Sequence, residues 1–62
     1  MKYSEIKRKL KKAGCYPVRE GGNHTIWYSP ITDRAFPMSR HNSEEAKNKT
    51  QRSIEAQSGV KL

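Results

Sequence analysis

His24 and His41 are the only side chains of this sequence that titrate naturally near neutral pH. Any general acid–base scheme therefore has to be built on them, helped by lysine, arginine or tyrosine. His24 directly follows Gly21-Gly22-Asn23 and opens the aromatic-rich run Thr25-Ile26-Trp27-Tyr28. Gly21 and Gly22 have no Cβ, so the backbone there can approach a phosphodiester, and successive N–H groups in such a turn can hold an anion. The chemistry these parts suit is RNA scission. A base takes the 2′-hydroxyl proton, that oxygen attacks the adjacent phosphorus in line, and cations stabilise the charge gathering on the phosphoryl oxygens. His24 is the candidate base, and His41 is a candidate second group at the substrate. The plainer reading of the same residues is a good hairpin turn followed by a half-exposed histidine at a strand start.

The cations for such a reaction are plentiful. Thirteen Lys and Arg against six Asp and Glu give a net charge of +7 in 62 residues, and counterion release makes any phosphate backbone a favourable partner for that charge. Lys7, Lys11, Lys12 and Arg40 are the expected phosphate contacts, with Gly22 and Asn23 shaping the approach to His24. A membrane surface competes for the same charge, but the most basic segment has only a narrow apolar stripe. Other chemistries are poorly supplied. Structural zinc needs four ligands, and the chain offers two distant histidines and one cysteine with no paired spacing; neither a metal nor a cofactor is expected. Cys15 cannot form an internal disulfide and reads as a buried, inert thiol. The longest uninterrupted apolar run is Ile26-Trp27-Tyr28, so neither a signal peptide nor a membrane span is expected, and the reading is a cytosolic protein.

Five elements must position these groups in a single domain over residues 1–62. From Ser4 to Ala13 the apolar positions Ile6, Leu10 and Ala13 recur at helical spacing, with Ser4 as the N-cap and Gly14 at the left-handed C-cap position. Cys15 to Arg19 reads as a short edge strand that alternates Tyr16 and Val18 and contains Pro17. Gly21-Gly22-Asn23 is expected to supply the positive backbone angles of a hairpin. His24 to Ser29 is then a second strand, with His24, Ile26 and Tyr28 on one face and Thr25, Trp27 and Ser29 on the other. After a turn at Pro30-Ile31-Thr32-Asp33, a third strand runs from Arg34 to Met38, cut short by Pro37. Asn42 with Glu45 resembles a capping box. It predicts a second helix from there to the stop at Gly59, with Ala46, Thr50, Ile54 and Gln57 on one face and Val60 and Leu62 anchoring its end. Helix, three antiparallel strands and helix make a two-layer α+β domain with both helices on one sheet face. Its other face is left with exposed aromatic surface. A domain this small buries only about 60% of the surface its unfolded chain exposes, so a partner that covers it would add to a marginal stability.

In this order and at this length the residues resemble a known family. The opening Met1-Lys2-Tyr3-Ser4-Glu5, an apolar residue and a leucine along the first helix, Gly14, Gly22-Asn23-His24, Phe36-Pro37-Met38-Ser39-Arg40-His41, Thr50-Gln51-Arg52-Ser53-Ile54 and Gly59 look like the HicA-type mRNA interferase toxins. The resemblance covers essentially the whole chain. It implies a double-stranded-RNA-binding-domain-like α-β-β-β-α fold, ribonuclease activity toward messenger RNA that depends on His24, and neutralisation by a HicB-type antitoxin. Gln51 and Glu55 depart from the family by standing where apolar residues are expected. The competing reading is a non-catalytic double-stranded-RNA-binding module of the same fold. It would need two basic clusters reaching grooves roughly 16 base pairs end to end, with only Lys47, Lys49 and Arg52 for the second.

Overall fold

The chain folds in the order α1 (Tyr3–Lys12), β1 (Tyr16–Glu20), β2 (His24–Ser29), β3 (Arg34–Ser39) and α2 (Asn48–Ser58), as seen in a computed structural model that describes residues 1–62. The α-β-β-β-α order and the α+β class are those expected. The sheet is an antiparallel meander with β2 in the middle and β1 and β3 as its edges. No helix is long and apolar enough to cross a membrane.

Alternation along β2 decides which face is inside. Thr25, Trp27 and Ser29 are buried, whereas His24 is exposed and Ile26 and Tyr28 are half-buried. Phe36 and Met38 of β3, paired with Trp27 and Thr25, complete the inner face. Ile6 and Leu10 of α1, Ile54 of α2, and Cys15 and Ala46 from the connecting segments close the core over it. Both helices therefore share one side of the sheet. Each large side chain so buried contributes roughly 1.5–3 kcal/mol, and with a core of only eight residues no single one is dispensable. The opposite face carries Tyr16 against Tyr28, ring centroids 5.6 Å apart, with Tyr16 49% exposed. That is the exposed aromatic surface foreseen.

The hairpin between β1 and β2 is built differently from the expectation. Neither Gly21, Gly22 nor Asn23 has a positive φ; the positive angles lie at Gly14 (101°), Asp33 (54°) and Gly59 (73°). The register slips between Pro17 and Arg19, leaving Val18 without a partner. A bulge of this kind adds the right-handed twist that a tight turn would otherwise supply. It also breaks the predicted Tyr16/Val18 alternation, and β1 is exposed throughout. β3 runs through Pro37 to Ser39 instead of stopping, because on an edge strand a proline can direct its donor-less nitrogen away from the neighbouring strand.

The helix starts are the largest corrections. Ser4 lies within α1, whose N-cap is Lys2, and α2 starts at Asn48, with Lys47 as its N-cap, instead of near Asn42. The polar segment before α2 has a different task. The carbonyls of Asn42 and Glu44 accept the N–H groups of Ser4 (3.0 Å) and Tyr3 (3.1 Å), and Ala46 N–H donates to the Met1 carbonyl (2.9 Å). The first N–H groups of a helix have no partner within it, so this segment serves as the cap of α1 and cannot also be the first turn of α2. The helix ends match the sequence reading. Cys15 N–H donates to the Leu10 carbonyl and Gly14 N–H to the Lys11 carbonyl, a Schellman stop that seats Cys15 in the core beside Leu10. Gly59 stops α2 in the left-handed region. Val60 and Leu62 pack on the core as anticipated. The polar Gln51 and Glu55 are used locally: Gln51 Nε2 donates to the Ala46 carbonyl (2.9 Å) and Glu55 Oε2 accepts Leu62 N–H (2.7 Å).

Candidate functional site

His24 is held by its backbone while its side chain stays exposed. As the first residue of β2 it pairs with Ser39 at the end of β3, and its carbonyl accepts Gly21 N–H at 2.8 Å. Gly21 suits that closure, since a Cβ there would lie 3.0 Å from the His24 carbonyl oxygen, a tight contact. Gly22 is not so constrained. A Cβ at 22 would meet nothing within 4 Å, and its φ is not positive. The loop is clamped from β3: Arg40 ion-pairs with Glu20 at 2.6 Å and donates to the Gly21 carbonyl, while Thr25 Oγ1 donates to the other Glu20 oxygen at 3.2 Å.

Beside His24 a groove of about 470 Å³ runs between β3 and α2. Met38, Ile54 and Pro37 give it an apolar lining, and Tyr3, Ser39, Lys49, Thr50, Ser53 and Gln57 add polar groups around His24. A cleft with an apolar lining and a few convergent polar groups is the usual form of a small-molecule or substrate site. A second, shallower hollow of about 310 Å³ is wholly polar, formed by Ser4, Lys7, Arg8, Lys11 and Asn42. Lys7 Nζ donates to Asn42 Oδ1 at 2.5 Å. Burial pushes the Lys7 ammonium below its ordinary range; Glu20 opposes the shift and Lys11 adds to it. Lys11 Nζ sits 6.0 Å over the Trp27 ring, so its stem also covers a core aromatic. On the open face Tyr28 donates its hydroxyl proton to Asp33, and that hydrogen bond raises the phenol above its usual range.

The residues singled out by sequence thus fall into separate groups. His24 lines the groove and follows directly on the exposed Gly22 and Asn23. Lys7 and Lys11 line the second hollow, and Arg40 is engaged with Glu20 and Gly21. Lys12 and His41 are exposed and line neither cavity; His41 N–H donates to Ser39 Oγ at 3.1 Å in the turn after β3. Sequence reasoning gave Ser53 no site role, Thr50 and Gln57 only a packing role, and Lys49 a role only in the competing double-stranded-RNA-binding reading. The spacing 49, 50, 53, 57 does mark one helical face. On a helix whose start was misplaced, that face could not be aimed at His24.

Neither a curated protein nor a solved structure matches the chain. The family comparison does match: the HicA toxin of bacterial toxin–antitoxin systems aligns with residues 3–60. That span takes in both helices, the whole sheet, the Gly22-Asn23-His24 loop and both cavities. The chain accordingly belongs to the HicA family, as a toxin of a toxin–antitoxin system that implies a cognate antitoxin.

Proposed function

We propose that this toxin is an endoribonuclease that cuts messenger RNA, with His24 as its catalytic residue. The observation that carries the reading is an exposed imidazole at a groove with a lysine in its lining, close in the chain to a glycine whose missing Cβ serves no internal contact. His24 takes the proton of a ribose 2′-hydroxyl; the 2′-oxygen attacks the adjacent phosphorus; and the bond to the 5′-oxygen breaks as that oxygen picks up a proton. The products are a 2′,3′-cyclic phosphate and a 5′-hydroxyl. Gly22 and Asn23 let the phosphodiester approach, Lys49 faces the developing charge, and Lys7, Lys11, Lys12, Arg40 and His41 contribute to holding the strand. The reaction needs no metal. A HicB-type antitoxin of acidic character silences the enzyme by covering His24.

His24→Ala tests this directly. The ring makes no hydrogen bond within the protein and lies outside the core, so the variant keeps the parent's circular dichroism while RNA cleavage and growth inhibition disappear. Cleavage by the parent persists in excess EDTA and leaves cyclic phosphate ends. Equal cleavage by the folded alanine variant, or activity abolished by chelation and restored by magnesium, would rule the mechanism out.

A further inference from the structure

We infer that the groove beside His24 receives one nucleotide of the RNA strand, with Lys49 holding a phosphate and Gln57 reading the edge of the base. The inference rests on the ribonuclease reading and adds to it the inward face of α2.

Three observations carry it. The volume of about 470 Å³ lies within the range of about 300–1,000 Å³ typical of small-molecule sites. Its lining matches the parts of a nucleotide, with Tyr3 and Pro37 to pack against a base and hydroxyls from Ser39, Thr50 and Ser53 within the same cleft. Lys49 is the only lysine or arginine in that lining, and the chain's two ion pairs, Met1–Glu45 and Arg40–Glu20, leave it unpaired. Arg40, ion-paired with Glu20 and bonded to the Gly21 carbonyl, lies outside this lining, so Lys49 is the one unpaired cation within it.

Gln57 is oriented before any ligand arrives. Its Nε2 donates to the Ser53 carbonyl (3.3 Å) and to Ser53 Oγ (2.9 Å). A carbonyl only accepts, so the amide nitrogen must face it, and Oε1 is left as an acceptor with no partner in the protein. The Ser53 hydroxyl, having accepted from Gln57, keeps its own proton to donate. An acceptor beside a donor pairs with a base edge whose donor and acceptor stand in the matching order, and that order differs between adenine or cytosine and guanine or uracil. Unpaired bases are read on those edges in single-stranded RNA. Lys49 and Gln57 are therefore positioning and specificity residues; the proton transfer belongs to His24.

The test uses a pool of short single-stranded RNAs randomised across the cut, with cleaved ends sequenced and rates measured at several salt concentrations. Lys49→Ala lowers kcat/KM about tenfold for all sequences, the loss of one charge-assisted contact, and shrinks the salt slope by about 0.7. Gln57→Ala still cuts but loses the preference at a single position next to the cut. Ser53→Ala, which removes the hydroxyl donor and one of the two hydrogen bonds of the Gln57 amide without shortening Gln57, weakens the same preference and guards against a folding artefact in the first variant. If Lys49→Ala and Gln57→Ala cut the same positions at the parent's rates while His24→Ala is inactive, the groove inference is overturned alone. Full activity of His24→Ala removes the ribonuclease reading and the groove inference together.

Discussion

Gly22 and Gly59 show one residue type in two unrelated roles, and substitution by alanine separates them. At Gly59 the backbone is left-handed, φ 73°, and a Cβ would lie 2.8 Å from Ile31 Cγ2 and 3.0 Å from Thr32 Cγ2. An L side chain in this region costs about 1–2 kcal/mol before any clash is counted. Gly59→Ala is therefore expected to lower the denaturation midpoint clearly. At Gly22 there is neither a positive φ nor a neighbour, so Gly22→Ala should melt with the parent. If the open side of Gly22 is where the phosphodiester approaches, the same variant loses RNA cleavage while remaining folded. Chemical denaturation and a cleavage assay on the two variants check both halves. A Gly22→Ala protein that is unstable, or stable and fully active, removes the functional role given to that glycine.

The two helices are completed by distant chain segments. The loop before α2 supplies carbonyls to the first turn of α1, and hydroxyls from the end of β2 and the turn after it supply donors to the last turn of α2: Ser29 Oγ donates to the Ser58 carbonyl and Thr32 Oγ1 to the Gln57 carbonyl, each at 2.5 Å. The first of these docks is reinforced at the chain's start, where the N-terminal ammonium meets Glu45 Oε2 at 2.8 Å. The hydrogen bond and charge of that ammonium hold the Glu45 carboxyl below the usual glutamate range. A carboxyl whose pKa is lower folded than unfolded adds stability above its unfolded value and loses it as pH falls through the folded one. Glu45→Gln should therefore flatten part of the acid limb of the stability curve. The change is small because the pair is exposed and solvent-screened. Melting temperatures of parent and variant from neutral to strongly acid pH provide the measurement; superimposable acid limbs would show that the ion pair does not help dock the loop.

On the scale of the whole molecule, a +7 chain with an eight-residue core and one uncovered sheet face is suited to being completed by a partner. Tyr16 and Val18 stand about half exposed on β1 and would offer apolar anchors to the acidic antitoxin proposed above, whose charge would speed the encounter. Binding only the folded toxin raises its stability by mass action. The toxin–antitoxin complex is thus expected to melt above the toxin alone. Hydrogen exchange should slow at the start of β2, where His24 lies, and in α2, whose N-cap lacks a side-chain hydrogen bond. A complex that cleaves RNA at the free toxin's rate, or one whose protected surface leaves out the strand beginning at His24, argues against silencing by occlusion.

Much of this protein was legible from local chemistry. β2 runs over the predicted residues, its inner and outer faces follow from strict alternation, and the stops at Gly14 and Gly59 lie where a left-handed residue is needed. These features depend on neighbours within a few positions, which a sequence displays directly. His24 as a candidate, and the family, were likewise readable from residue types in order. What tertiary structure decided was every choice between partners far apart in the chain. Asn42–Glu45 has the pattern of a helix start, but its carbonyls are drawn to the open N–H groups of α1, some forty residues earlier. The bulge at Val18 replaced the expected turn geometry through pairing with β2. The groove required α2 to be laid against β3, which brings Lys49, Ser53 and Gln57 beside a histidine more than twenty residues away. Helical spacing specifies which residues share a face; packing the apolar stripe of the helix on the sheet specifies what that face meets.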